Sequence, residues 1–244
     1  MLEFLQTELL YMTDSYLKEF DATIKAISEN GLKLYLDKTA FYPGGGGQPN
    51  DTGKIIVNSK EYEVTNVGRD KEKGIYHQLN QPVDAKVGDQ LKGQISWERR
   101  YTVMKYHTAL HILCGLIWKE FGAEVTGGKM YLDKARMDFN LEDFSQEQVQ
   151  YIEKRVNEEI AADRKIRINI LPREEAFKIP DLIRTKINLL PEHIKEVRTV
   201  EILGLDLQAD GGTHLKSTKE VGNVRIVETI NKGKENKRIV IQID

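Results

Sequence analysis

Near Trp97 the chain changes texture, and any fold must accommodate both sides of that change. Upstream, Ala22 to Ile27, Leu32 to Leu36, Lys54 to Val57, Glu61 to Val67, Gly74 to Gln78 and Gln90 to Trp97 are short apolar alternations. That is the period-two signature of half-buried strands. Turn signals at Glu29 to Gly31, Asn58, Asp70, Pro82 and Gly88 separate them. Many short strands with little helix predict a small barrel or sandwich. Downstream, Glu98 to Phe121 runs without proline, and Val103, Tyr106, Leu110 and Leu113 recur at helical spacing. The expected class is therefore α+β: an N-terminal small β-barrel over 1–96, then a mixed α/β domain over 97–244, with helices packed on an antiparallel sheet.

Within the second part, Gly127-Gly128 reads as a turn before a strand Arg136 to Phe139, and Asp138 reads as a buried hydrogen-bonding carboxylate. Ser145 starts a helix with Gln148 as capping-box partner and Phe144 placed to staple against Val149. Val149, Ile152, Val156 and Ile160 line one face of it. A strand Ile166 to Leu171 leads into a connector marked by Pro172, Pro180 and Pro191, with a short helix at Arg173 to Phe177. Strands Val197 to Leu203, Val224 to Ile230 and Arg238 to Ile243 follow, the last two joined by a polar turn.

Composition excludes some functions. The chain is 40% hydrophobic and 30% charged, with no apolar run near the roughly 18 residues of a membrane-spanning helix. Met1 to Leu10 carries Glu3 and Glu8 and no basic leader, so a cytoplasmic protein is expected. The single cysteine, Cys114, excludes an internal disulfide. With 36 basic against 38 acidic residues the net charge is −2, so a polyanionic partner must be met by local patches.

His107 and His111 lie one turn apart on the predicted helix, a spacing that can chelate one metal ion or simply place two polar residues. Thr108 stands where a zincin protease would carry its glutamate base. A hundred residues on, Asp210-Gly211-Gly212-Thr213-His214 offers a carboxylate and an imidazole around a glycine turn. Zinc with three imidazoles and one carboxylate is ordinary chemistry. Asp210 also suits an Asx-turn that caps its own loop. Cys114 lies on nearly the same helix face, but a third donor there would spread the ligands over about 10 Å of axis. A small buried core residue is the expectation for it. His77 and His193 have no partner in spacing and read as structural or surface residues.

Phe41-Tyr42-Pro43-Gly44-Gly45-Gly46-Gly47-Gln48-Pro49-Asn50-Asp51 is the second unusual segment. It lacks the Gly-Lys-Ser/Thr of a phosphate loop and Rossmann spacing. Two readings are open: an irregular turn between barrel strands, or a wall of backbone amides that touches a ligand directly.

Taken together, the glycine run with Gln48, His107-Thr108-Ala109-Leu110-His111, Arg136-Met137-Asp138-Phe139 and Gly211-Gly212-Thr213-His214 resemble the editing domain of alanyl-tRNA synthetase. More closely, the chain resembles free-standing alanyl-tRNA editing proteins of medium length, over nearly its whole extent. The resemblance implies hydrolysis of serine or glycine from mischarged tRNA for alanine, a second sieve needed because a pocket for alanine rejects both poorly. It places one zinc ion per chain on His107, His111, Asp210 and His214, with Asp210 in place of the usual cysteine. Leu110 replaces the synthetase's second threonine, and its glutamine is missing around Val125 to Gly128. Serine recognition then falls to Thr108 and to Gly44, Gly45, Gly46, Gly47 and Gln48. Gly211 and Gly212 would offer amides near the terminal adenosine and the developing oxyanion. The tRNA acceptor end would meet Arg99, Arg100, Lys105, Lys232, Lys234, Lys237 and Arg238; no protein partner is expected. Editing of a threonyl-type mischarged tRNA, or a non-catalytic zinc-containing RNA-binding module, are the alternatives.

Overall fold

A computed structural model describes residues 6–71, 73–141, 145–184, 194–233 and 236–244. Phe144, Pro191, His193 and Lys234 lie outside the described residues. The chain divides into two compact units, Met1–Tyr101 and Thr102–Asp244, and the architecture is α+β.

The first unit carries strands β1 (Glu8–Leu9), β2 (Glu19–Ile27), β3 (Lys33–Leu36), β4 (Lys38–Thr39), β5 (Gly53–Val57), β6 (Lys60–Asp70), β7 (Gly74–Leu79) and β8 (Gln90–Ile95). Six of them close into an antiparallel barrel in the order β2-β3-β7-β6-β5-β8, while β1 and β4 form a short parallel pair. Alternation explains the closure. Along β2, Phe20, Ala22 and Ile24 point inward between the exposed Glu19, Asp21 and Lys25. Ile55 and Val57 of β5 and Leu91 and Ile95 of β8 repeat the pattern. The larger of these side chains, Phe20, Ile24, Ile55, Val57, Leu91 and Ile95, each contribute about 1.5–3 kcal/mol by leaving water. Gly93 is required on β8, because a Cβ there would lie 2.4 Å from the Phe20 ring. The barrel expected from the short alternations is thus present, although Trp97 opens the helix rather than ending β8.

Helix α1 (Trp97–Phe121) leads into the second unit. From Tyr106 to Ile117 every residue is buried, so the segment is a core helix rather than an amphipathic surface one. It is followed by β9 (Val125–Met130), β10 (Ala135–Phe139), α2 (Gln146–Ala161), β11 (Ile166–Pro172), α3 (Arg173–Ala176), β12 (Glu196–Ile202), β13 (Asp206–Ala209), β14 (Val224–Asn231) and β15 (Lys237–Ile243). Two antiparallel sheets result, β14-β15-β10-β9 and β11-β12-β13. Ser145 and Gln148 form the expected capping box on α2, and Ile152, Val156 and Ile160 are buried along it. Asn157 of α2 clamps β14, donating to the Val224 carbonyl at 2.8 Å and accepting from its N–H at 2.9 Å.

One local expectation is corrected. Gly127 and Gly128 do not make a turn; they lie inside β9, paired with Asp138 and Met137. Neither needs a positive φ. The missing side chain of Gly127 instead leaves space beside the Asp138 carboxylate, where a Cβ would stand 3.6 Å from Oδ2. Asp138 is buried as expected, gripped by Arg238 at 2.7 and 2.8 Å and by Arg136. Among the described residues no helix is long and apolar enough to cross a membrane.

Candidate metal centre

Two separate stretches of the second unit meet at one point. Helix α1 supplies His107 and His111, and the segment that follows β13 supplies Asp210 and His214. The ring centroids of His107 and His214 are 4.1 Å apart, those of His111 and His214 4.5 Å, and those of His107 and His111 5.0 Å. All three Nε2 atoms turn toward the Asp210 carboxylate. His214 Nε2 lies 3.0 Å from Oδ1, and His107 and His111 Nε2 lie 3.6 and 4.0 Å from Oδ2. One donor atom from each residue falls within 4.8 Å of all the others. Tetrahedral bonds of about 2.0–2.1 Å place neighbouring donors roughly 3.3 Å apart, so this set could hold a divalent ion by drawing inward around it. A metal-binding group is therefore present.

Neighbouring groups hold Asp210 and His214 and face His111. Asp210 Oδ1 accepts the Gly212 N–H at 2.8 Å, the Asx-turn expected of it, and also lies 3.0 Å from His214 Nε2, while Oδ2 faces His107 and His111. Arg198 donates to the Asp210 carbonyl at 2.8 Å. The Thr108 hydroxyl lies 3.3 Å from His214 Nδ1 and accepts the Leu215 N–H at 3.2 Å. Asp206 Oδ2 faces His111 Nδ1 at 3.5 Å.

Burial dominates the electrostatics. It drives His107 down to about 4 against the attraction of Asp210. It drives His214 well below its ordinary value, helped by the neighbouring histidines. His111 moves the other way, because the Asp206 contact and both carboxylates outweigh its burial. Asp210 stays well below the usual carboxylate range, since the three imidazoles outweigh the cost of enclosing its charge. Neutral His107 and His214 beside an ionised carboxylate are what a cation requires of its ligands.

The other expected site residues fall as follows. Thr108 is fully enclosed against His214. Gly212 is buried, while Gly211 is exposed, and a Cβ added there would meet nothing within 4 Å. Gly44, Gly45, Gly46 and Gly47 all hold positive φ, at 77°, 142°, 57° and 84°, which explains four consecutive glycines. Gly45 and Gln48 exchange both backbone hydrogen bonds, at 3.0 and 2.9 Å, and Gln48 is buried. Cys114 is a buried core thiol outside the cluster, its pKa pushed up by burial, and it accepts from Gln208 at 3.3 Å. His77 is a buried structural residue of the barrel.

Two expected RNA contacts are overturned. Arg100 has no exposed surface and is bound to Asp51, and Lys237 is buried with its ammonium on the Gly233 carbonyl at 3.2 Å. Lys232 is exposed, and Arg99, Lys105 and Arg238 are partly so. Asp206, Gln208 and Arg198 are site residues that sequence reasoning does not reach. Asp206, Gln208 and Asp210 recur with period two, the signal that could have placed them on one face of an approaching strand.

Known proteins carry both parts of this chain. Residues 5–99 match the family described as tRNA synthetases class II (A), and residues 197–240 match the threonyl and alanyl tRNA synthetase second additional domain. The barrel and the stretch that carries Asp210 and His214 thus both match tRNA-synthetase-related families. The alanyl-tRNA editing protein AlaX-M of Methanosarcina mazei is 42% identical over 97% of this chain and 96% of its own. That of Saccharolobus solfataricus is 43% identical over 96% and 97%. The alanine–tRNA ligase of Pyrococcus abyssi is 38% identical over 92% of this chain, a stretch that makes up 24% of the ligase. The chain belongs to the alanyl-tRNA editing protein family.

Proposed function

We propose that this chain is a cytoplasmic trans-editing deacylase that hydrolyses the ester joining serine, and glycine, to tRNA for alanine. The observation that carries the reading is the convergence of His107, His111, Asp210 and His214, in a chain similar from end to end to proteins named for alanyl-tRNA editing. Zinc suits three imidazoles and a carboxylate, and when bound it would polarise the ester or acidify a water toward neutrality.

The rest of the chemistry is assigned to the protein. With Nε2 of His214 turned to the cluster, its Nδ1 carries the proton and donates to Thr108 Oγ1. The enclosure of Thr108 favours this holding role over direct reading of the serine hydroxyl. Recognition of serine then falls to the glycine run with Gln48. Gly211, which is exposed, offers its backbone amide to the developing oxyanion, while the Gly212 N–H stays on Asp210 Oδ1. The barrel, residues 1–96 as read from the sequence, serves as the glycine-motif domain, and residues 97–244 as the zinc-containing catalytic domain. Arg99, Lys105, Lys232 and Arg238 meet the acceptor-end phosphates.

A second reading has one specific support: four protein donors complete a tetrahedron, as in a structural zinc site of a binding module. One assay separates the two. Serine-, glycine- and alanine-charged tRNA for alanine are incubated with the protein and the released amino acid is measured. Release from the first two, abolished together with bound zinc in the His107→Ala/His111→Ala variant, is expected. Retention of all three esters would leave only the binding module.

A further inference from the structure

We infer that Asp206 is a positioning residue for the metal centre, its carboxylate accepting a hydrogen bond from the Nδ1–H of His111 so that Nε2 is held toward the ion. This rests on the zinc reading above.

One nitrogen of the cluster is left without a bond. His111 is buried, and its Nδ1 has no hydrogen-bond partner within ordinary distance among the described residues. A ring that presents Nε2 to a cation must carry its proton on Nδ1, and a buried N–H needs an acceptor. The group that faces it is Asp206 Oδ2, at 3.5 Å, on a side chain with no exposed surface. That separation is just beyond a hydrogen bond and closes into one by a shift of a few tenths of an ångström. Metal-bound imidazoles commonly carry such a carboxylate on the far nitrogen, which fixes the ring and raises its donor strength.

Asp206 is itself built into place. Gln208, two residues along β13, donates to its Oδ2 at 2.6 Å, and Arg184 Nε stands 3.6 Å from Oδ1. Its backbone is pinned by pairing with Ile202 at the start of β13. The clearest sign is on the opposing helix. Gly115 lies four residues after His111, in the interior of α1, where glycine costs about 1 kcal/mol relative to alanine. A Cβ at that position would lie 2.7 Å from the Asp206 Cβ and 3.3 Å from its Cγ. The helix gives up a side chain one turn from His111, and Asp206 fills the space. Neither the four metal donors nor the contacts of Thr108 account for this arrangement.

The test uses the full chain stripped of metal and titrated with zinc alone against a competing chelator. Thermal unfolding of the metal-free and zinc-loaded forms is followed in parallel. Asp206→Ala is expected to weaken zinc binding by roughly 100-fold and Asp206→Asn, which keeps an acceptor oxygen, by about tenfold. The stabilisation gained on adding zinc should shrink in the same order. A purely structural role would lower the melting points of both forms equally and leave the affinity unchanged. Wild-type zinc affinity in folded Asp206→Ala overturns the inference; if that variant does not fold, wild-type affinity in Asp206→Asn does so. Zinc binding intact in these variants but lost in His107→Ala/His111→Ala would remove the role of Asp206 and leave the metal centre standing. A wild-type chain that binds no zinc would remove both.

Discussion

The Arg100 guanidinium is sealed inside the first unit and grips the Asp51 carboxylate, with Nε 2.9 Å from Oδ1. Its other nitrogens donate to the Ser15 carbonyl at 2.9 Å and the Ala40 carbonyl at 2.6 Å. Asp51 also accepts the Tyr42 N–H at 2.6 Å, so the pair ties together the two ends of the glycine run. Arg100→Met should leave a buried carboxylate unpaired and cost about 3–5 kcal/mol, more than Arg100→Met combined with Asp51→Asn costs beyond Asp51→Asn alone. Urea unfolding of the three variants measures the difference.

The glycine run discriminates between neighbouring substitutions. At φ 142°, Gly45 holds a conformation that side chains rarely adopt, and Gly45→Ala should cost about 1–3 kcal/mol. Gly46, at φ 57° with open space around it, lies in the left-handed region, so Gly46→Asn should be nearly neutral and Gly46→Ala should cost about 1 kcal/mol. Thermal midpoints rank the three.

His77 makes the barrel sensitive to acid. Leu34 O can only accept, so Nδ1 carries the ring proton at 3.2 Å and Nε2 accepts from Thr39 at 2.8 Å. Burial lowers the pKa from 6.5 to about 4. As pH falls below 6.5 the unfolded chain takes up a proton that the folded one refuses, so stability declines until about pH 4, by about 3 kcal/mol, and is unaffected above pH 7. The histidines of the metal centre titrate as well, so the comparison is with His77→Gln. That variant should lose less stability between pH 7 and pH 4.5 in urea titrations, whatever its starting value.

Asp210 invites exchange for the thiolate that the resemblance implies at this position. Asp210→Ala should weaken zinc binding on the order of tenfold, since one donor and its loop cap are lost together. Asp210→Cys should bind at least as tightly as the wild type, because thiolate is the softer donor. Chelator competition gives both values.

Among the cations left to meet RNA, Lys232 is exposed. Lys232→Ala should reduce the slope of logarithmic deacylation against logarithmic salt by about one if it grips a phosphate. An unchanged slope would assign Lys232 to the solvated surface.

The sequence carries some of this openly. Period-two alternation announces the barrel because its inward face is apolar, and helical spacing puts His107 and His111 on one turn. The donor types of Asp210 and His214 suggest a shared ion with that pair, but the resemblance is what brings the four together, since no local pattern reports a contact across a hundred residues. Arg100 beside Arg99 looks like a basic patch; its burial depends on Asp51, which is forty-nine positions back. Gly127-Gly128 misleads because a glycine pair marks a turn as readily as a strand that must leave room for a neighbouring carboxylate.

Nitrogen and oxygen are the only elements the cluster offers a cation, and the chain's one thiol, on Cys114, is shut in the core with its thiolate disfavoured. Peroxide and alkylating agents act on accessible thiolates. A centre assembled without one keeps its donors under oxidising conditions that would strip a cysteine-ligated counterpart.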